Sequence, residues 1–274
     1  IQNYIGLYQS CFPRASHLNH NYLSWLYYAN PIGAAIGADA WYGDKIVGQV
    51  IAIPVNYFIH NESVKGLLAV NVAVHSDFQG KYLFKKLGLR MCEYGYQEGY
   101  QFVIGIANRA ATPGWTRQMG FQLVSPLESR IGIRNLLLEK SSEEIIEATQ
   151  LRHLWNNDTI SWRLKNPSKK MFFKTNKNWV TAYTSTGRFG LNAIAEFPFN
   201  SDKIDFENST IANSLMPKVF LGLIPKYKFT NRYLIIPKQF KPSPLNFIYK
   251  NLENNKENID PSSCFLNFLD FDAF

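Results

Sequence analysis

Near residue 75 the hydrophobic period of the chain changes from two to near 3.6, so the chain must pass from sheet into helix there. Upstream, residues 38–42 and 46–55 read as strands joined at Gly43-Asp44, and a turn at Asn61-Glu62 leads into a third strand over 66–74. That is an antiparallel meander. Downstream, Leu83, Leu87, Met91 and Tyr94 recur at helical spacing, and Gly99 is expected as a left-handed cap. A short buried strand over 102–106, a second helix over 112–119 stopped by Gly120, and a strand from Phe121 follow. Ahead of the meander, residues 18–28 are expected to be helical, with Leu18, Tyr22, Trp25 and Leu26 on one face and Asn30-Pro31 as the stop. The fold class is α/β in the broad sense (α+β), with helices interrupting a sheet.

The chain has 274 residues, 46% of them apolar and 18% charged, enough for a sizeable core and too apolar for disorder. No run of about eighteen apolar residues occurs, so no membrane span is expected. The start shows no basic segment followed by an apolar one, and the expected location is cytoplasmic. Cys11, Cys92 and Cys264 lie far apart and form no CxxC pair, which argues against disulfides and a cysteine zinc site. His17 and His20 could share a helix face, but no carboxylate or cysteine accompanies them; no metal is expected. The net charge of +8 has no basic tail: residues 1–140 hold 12 Lys+Arg against 8 Asp+Glu, and residues 141–274 hold 17 against 13. Such a balance suits small polyanions as well as it suits nucleic acid, and Lys169-Lys170 and Lys226-Tyr227-Lys228 read as solvated faces. No nucleic-acid partner is expected.

The clearest boundary lies near residue 140, giving expected domains 1–140 and 141–274. There a strand-like stretch holding Ile131, Ile133, Leu136, Leu137 and Leu138 gives way to Ser141 with Glu144 three residues on, a capping box opening a helix through Leu151 and Trp155. A shorter helix opened by Asp158 holds Trp162 and Arg163, and strands are expected near 171–174, 179–184, 190–197, 219–224 and 234–236. The polar segment 251–260 reads as an exposed loop.

The segment with the most chemical content is Val72-Ala73-Val74-His75-Ser76-Asp77-Phe78-Gln79-Gly80-Lys81-Tyr82-Leu83-Phe84. A strand ends at Val74, a turn with Gly80 follows, and a helix begins with unpaired N–H groups and a positive dipole end, an anion site suited to a pyrophosphate. A purely structural turn is the alternative. The segment resembles the acyl-CoA-binding motif of the GNAT superfamily of N-acyltransferases, in which a strand ending in Val-x-Pro precedes Arg/Gln-x-x-Gly-x-Gly/Ala and a helix. Val47-Gly48 before a long strand, Ile104-Gly105-Ile106-Ala107-Asn108, and Arg117-Gln118-Met119-Gly120-Phe121, where the family has a Lys-x-Gly-Phe ending, extend the resemblance over about residues 1–140. Ser76 stands at the usual proline, and Tyr82 and Phe84 occupy positions that are usually small. Thr116 occupies the place of a tyrosine that protonates the leaving thiolate in many relatives.

The resemblance implies a mixed sheet flanked by helices, with two strands splayed to receive the pantetheine arm of acetyl-CoA or another acyl-CoA by main-chain hydrogen bonds. It implies contacts from Val72, Ala73, Val74, Ala107 and Asn108 to that arm, and from Gln79, Gly80, Lys81, Tyr82, Leu83 and Phe84 to the phosphates. Asn108 has an alternative role as a cap before Thr112. His75 is the candidate base, its ordinary pKa suited to the task, or else a turn residue. Asn71, inside an apolar strand, would order a proton-carrying water, or else face solvent. Tyr27 and Tyr28 would stack on a substrate ring, with core packing the competing role.

Trp155, Ile160-Ser161-Trp162-Arg163-Leu164, Asn166-Pro167 and Phe268-Leu269-Asp270-Phe271-Asp272 resemble the C-terminal half of two-domain GNAT-like proteins of surface-polysaccharide biosynthesis, which looks like a degenerate second copy of the fold. Trp162 and Arg163 would then bind substrate at the domain junction, or else pack the helix and form a salt bridge. The expected activity is N-acyl, foremost N-acetyl, transfer to a small polar amine, with a nucleotide-linked amino sugar as the leading acceptor. An aminoacyl-tRNA-dependent aminoacyl transferase and a non-catalytic binding module of the same fold are the alternatives. The oligomeric state is left open.

Overall fold

The computed structural model describes residues 1–60, 62–133, 136, 141–176, 178–188, 190–199, 216–225, 233–237, 244–253 and 258–271. Helices α1 (Gln2–Cys11) and α2 (His20–Tyr28) precede strands β1 (Ile36–Tyr42), β2 (Lys45–Ile59) and β3 (Glu62–Val74). Next come α3 (Leu83–Gln97), β4 (Phe102–Asn108), a π-helical turn (Gly114–Gln118), β5 (Gln122–Pro126) and β6 (Glu128–Gly132). The remainder holds α4 (Ser142–Glu147), β7 (Leu151–His153), α5 (Asn157–Leu164), β8 (Met171–Asn176), β9 (Trp179–Ser185), β10 (Asn192–Pro198), β11 (Lys218–Leu223), β12 (Tyr233–Ile235), β13 (Leu245–Asn251), β14 (Cys264–Asn267) and α6 (Phe268–Phe271).

The chain forms two compact units. The first comprises Ile1–Tyr57, Ser63–Ser125 and Leu245–Asn258; the second comprises Phe58–Glu62, Pro126–Pro244 and Ile259–Phe274. These differ from the contiguous domains 1–140 and 141–274 read from the sequence. The physical reason is β13, which pairs antiparallel with β4 from Leu245↔Asn108 to Asn251↔Phe102 and brings residues from far along the chain into the first unit. No local pattern announces a partner more than a hundred residues away.

In the first unit the hydrogen-bonded strand order is β1-β2-β3-β4-β13-β5. β1 and β2 form a hairpin closed at Tyr42↔Lys45, with Gly43 at φ 61° in the expected two-residue turn. β3 and β4 run parallel, as a strand–helix–strand crossover through α3 requires. The core is Val50, Ala52 and Leu67 of the sheet against Leu87 and Met91 of α3 and Trp115, Met119 and Phe121 beyond β4. Of the stripe that predicts α3, Leu87 and Met91 are buried and Leu83 is half-buried, whereas Tyr94 is exposed and Cys92 and Gly95 take the inner face; Gly99 at φ 81° follows the C-terminus. The second unit has its own mixed sheet, β7-β14-β11-β10-β9-β8, with β6 lying between β11 and β12. Its core holds Ile160, Phe173, Val180, Ile194, Phe197, Phe220 and Phe268.

Local signals and tertiary pairing disagree in several places. Ser141 Oγ does accept the Glu144 N–H (3.1 Å), but the helix ends at Glu147 instead of running to Trp155, because Leu151 and Arg152 pair with Cys264 and Phe265 of β14. Asn156, not Asp158, caps α5: its Oδ1 accepts the Thr159 N–H (2.8 Å) and Thr159 Oγ1 accepts the Asn156 N–H (3.0 Å). α2 begins two residues later than expected because Asn19 caps it, accepting the Tyr22 N–H at 3.1 Å. The helix expected over 112–119 is present, with π-helical geometry over its middle, Gly114–Gln118. The strand expected around Ile131–Leu138 is β6, which ends at Gly132; residues 134, 135 and 137–140, Asn61, Lys226-Tyr227-Lys228, 254–257 and Asp272 lie outside the described residues. α1 has no counterpart in the sequence reading, since only Leu7 and Tyr8 of its ten residues are buried. Among the described residues no helix is long and apolar enough to cross a membrane.

Candidate functional site

β3 and β4 stay paired for four residues only, from Gly66↔Phe102 to Ala69↔Gly105. Beyond them the strands part. Asn71, two residues past the last pair, has a left-handed backbone (φ 47°), and such an irregularity bends a strand away from its neighbour. Ile106, Ala107 and Asn108 remain paired with β13 on the opposite edge, while no pairing joins them to β3. Into the gap opens a cavity of about 730 Å³, lined along β3 by residues 69–74, along β4 by residues 105–108, and also by Phe84 and Trp115. Its volume falls in the range of small-molecule sites.

At one end of this gap stands the turn into α3. Gly80 has φ 74° and nothing within 4 Å of where a Cβ would be, so its main chain is open to a ligand. Tyr82, exposed and also left-handed at φ 56°, is the residue before α3; no side chain caps the helix and its first turn contains no acid. Uncapped N–H groups at the positive end of a fifteen-residue helix form an anion site. Leu83 packs toward Gly48, and Phe84 stands edge-on to Trp115 with ring centroids 5.1 Å apart, so these two anchor the helix start. Gln79 donates to the Val74 carbonyl (3.0 Å) and Lys81 to the Asp77 carbonyl (3.1 Å), which ties the turn to itself.

The site is thus a splayed parallel strand pair, with an irregular residue at the split and an uncapped helix start beside it. Residues 1–124 match the family model of the acetyltransferase (GNAT) domain. The fold is similar to that of a GCN5-related N-acetyltransferase from Anabaena variabilis (TM-score 0.59, 11% identity, covering 92% of this chain and 70% of that one). A conserved protein of unknown function from Enterococcus faecalis is similar to the same degree (TM-score 0.59, 10% identity, 92% and 70%). So is Eis1 from Mycobacterium abscessus (TM-score 0.58, 11% identity, 92% and 71%). No curated protein matches the sequence.

Within this GNAT-like unit, Val72, Ala73, Val74, Gln79, Phe84, Ala107 and Asn108 all line the cavity, together with Asn71. Asn108 also caps the following turn: its Oδ1 accepts the Ala111 N–H (2.9 Å) and its carbonyl accepts from Thr112 Oγ1 (2.7 Å). His75 does not line this cavity. It faces a second one, of about 840 Å³, shared with Gln2, Tyr42, Asp44, Lys45, Asp77 and Lys81. There its Nδ1 accepts the Asp77 N–H (3.3 Å) and stands 3.8 Å from Asp77 Oδ2. Thr116 turns its hydroxyl to the Thr112 carbonyl (3.0 Å) and does not line the first cavity. Among the described residues Cys11 is the single ionisable side chain on that cavity's wall.

The aromatic candidates separate. Tyr28 is exposed and lines neither cavity, whereas Tyr27 is buried with its hydroxyl in a polar cluster. Asn71 Nδ2 donates to Tyr27 Oη (3.0 Å), which lies 2.7 Å from Tyr8 Oη; Tyr8 in turn donates to Gln49 Oε1. Burial pushes the Tyr27 phenol up to about 12 and Tyr8 far above the ordinary tyrosine value. Nearby, Tyr4 donates to Asp39 (2.8 Å), whose carboxyl is raised by burial. Tyr8 and Gln49 were not among the sequence candidates, although a glutamine within the apolar run of β2 is a usable signal. Trp162 and Arg163 are buried inside the second unit, the guanidinium 4.5 Å from the Trp162 ring centroid, and neither lines either cavity. Among the described residues no group of three or more His, Cys, Asp and Glu side chains is placed to hold a metal.

Proposed function

We propose that this chain is an acyl-CoA-dependent N-acyltransferase, acetyl-CoA being the foremost donor, that modifies a small polar amine. The observation carrying the proposal is the cavity formed where β3 and β4 separate, next to the uncapped start of α3. The donor set suits coenzyme A: free strand edges for the two amides of its pantetheine arm, and helix N–H groups beside Gly80 for its pyrophosphate. Bound there, acyl-CoA would supply the acyl group as a thioester.

The residues present then have definable tasks. Main-chain groups of Val72–Val74 and Ala107–Asn108 hold the arm in register, and an N–H of the 72–74 stretch polarises the carbonyl. The tied turn at 79–83 and the Phe84–Trp115 contact keep the helix start in place. Cys11 apart, the cavity wall offers no group able to remove a proton at neutral pH, and His75 faces the other cavity. The amine therefore enters unprotonated or loses its proton to water. Catalysis on this account is proximity and orientation, without a strong acid or base.

The acceptor rests on the resemblance alone, which points to a nucleotide-linked amino sugar. The same resemblance makes the second unit a degenerate copy of the fold without its own Gln-Gly-Lys turn. Thiol release from acetyl-CoA with a panel of amino-sugar nucleotides and simple amines tests the reading. Turnover on another amine alone would discard the sugar. Saturable acetyl-CoA binding without turnover on any amine would favour a non-catalytic binding module, a reading supported by Thr116 in place of the family's tyrosine and by the bulky Tyr82 and Phe84. Absence of acetyl-CoA binding together with tight, steeply salt-dependent tRNA binding would replace both with aminoacyl transfer.

A further inference from the structure

Asn71 sits at the split of the two strands in a conformation L-residues adopt reluctantly, asparagine less so than most. Such a residue persists only where its surroundings hold it. Two separate elements reach it, Tyr8 from α1 and Tyr27 from α2, and Gln49 from β2 backs Tyr8; all three are no more than 1% exposed. Proton bookkeeping gives the chain of bonds one direction. The Asn71 amide donates to Tyr27 Oη, and Tyr8 gives its single O–H to Gln49 Oε1, which leaves the Tyr27 O–H to donate to Tyr8 Oη. The Asn71 carbonyl, 3.3 Å from Tyr8 Oη, brings the same hydroxyl close to the main chain of the irregular residue.

We propose that Tyr8, Tyr27 and Gln49 are positioning residues: their buried chain of hydrogen bonds holds Asn71 left-handed and thereby keeps the gap between β3 and β4 open for the acyl donor. The inference builds on the acyltransferase reading but makes its own claim about the main chain. The chain of bonds does not remove protons from the site. It ends at a carboxamide, which takes up no proton at neutral pH, and the two phenols, both displaced upward by burial, keep theirs. Among the described residues Gln49 Nε2 has no hydrogen-bond partner, so the glutamine contributes an acceptor to Tyr8 while burying an unsatisfied donor. That combination separates positioning from simple stabilisation, because replacing Gln49 removes both.

The experiment uses the full chain, with Tyr27→Phe, Gln49→Met, Asn71→Ala, Asn71→Gly and the double variant Tyr27→Phe/Asn71→Gly. Acetyl-CoA affinity is measured by calorimetry, the unfolding midpoint by thermal melt, and exchange of the 70–74 amides by mass spectrometry. Tyr27→Phe, Gln49→Met and Asn71→Ala should each weaken acetyl-CoA binding by about tenfold, with faster exchange over 70–74. Gln49→Met should do so without lowering the melting midpoint. Asn71→Gly, free to be left-handed without help, should bind within about threefold of wild type, and adding Tyr27→Phe to it should change neither affinity nor exchange further. Wild-type affinity in Tyr27→Phe, or a loss equally large in the glycine background, would overturn the inference. If wild type itself fails to bind acetyl-CoA, the functional reading falls, and the exchange data alone decide the clasp: unchanged 70–74 exchange in Tyr27→Phe refutes it.

Discussion

The two cavities of the first unit share Ser10 and differ in almost everything else. The cavity in the strand gap is walled by alanines, aromatic faces and the uncharged polar side chains of Asn71, Gln79, Asn108 and Gln118, with Cys11 the single ionisable group among the described residues that line it. The other gathers Asp44, Lys45, His75, Asp77 and Lys81 within a slightly larger space. Charged side chains in a cavity suggest chemistry, yet the acyl-donor proposal rests on the uncharged cavity, which combines unpaired strand edges with a helix start. A site can thus be built from backbone geometry, its specificity set by where strands separate.

Filling the cavity in the strand gap should break this contrast most severely. Ala111→Trp, placed on its wall, should reduce acetyl-CoA affinity by about a hundredfold or more, whereas Lys45→Ala in the charged cavity should change it by less than about twofold. Comparable losses from both would show that the donor spans the two. A smaller effect is expected at the turn. Gly80→Val puts a β-branched residue where φ is 74°, at a backbone cost of about 1–3 kcal/mol, and should weaken acetyl-CoA about tenfold through the displaced N–H groups. Calorimetry beside a thermal melt separates the two effects; lower stability with unchanged affinity would make the loop a turn and nothing more.

The smallest effect is predicted for His75. On the water-mediated account His75→Ala retains turnover within about threefold, and kcat/KM climbs with pH toward the acceptor amine's own pKa in both wild type and variant. A loss of about a hundredfold, with the acidic limb of the profile disappearing, would restore the histidine as base.

The parts of this structure that could be read from the sequence are those governed by neighbours in the chain. The β1–β2 hairpin follows from Gly43-Asp44, α3 from Leu87 and Met91, and the turn at Gly80 from the switch of period. β13 was illegible because its partner β4 lies more than a hundred residues away, and α1 because two buried residues make too thin an apolar stripe. The cavity walls 72–74 and 107–108 were legible through the resemblance, but the face on which His75 falls was not, since adjacency to a strand end does not specify direction. Asn71 carried a real signal, a polar residue in an apolar strand, whose meaning lies in its backbone angle and in tyrosines from two helices that a one-dimensional reading does not bring together.

Titration of the full chain with acetyl-CoA tests the central claim most directly. A ligand at a hundred times its dissociation constant stabilises the folded state by about 2.7 kcal/mol. For a chain of this size that corresponds to a rise in melting midpoint of roughly 5–10 °C, with a saturable calorimetric isotherm, and Ala111→Trp should abolish both. A flat isotherm and an unmoved midpoint for acetyl-CoA, at concentrations where wild type is folded, would contradict the claim that the gap between β3 and β4 is an acyl-CoA site.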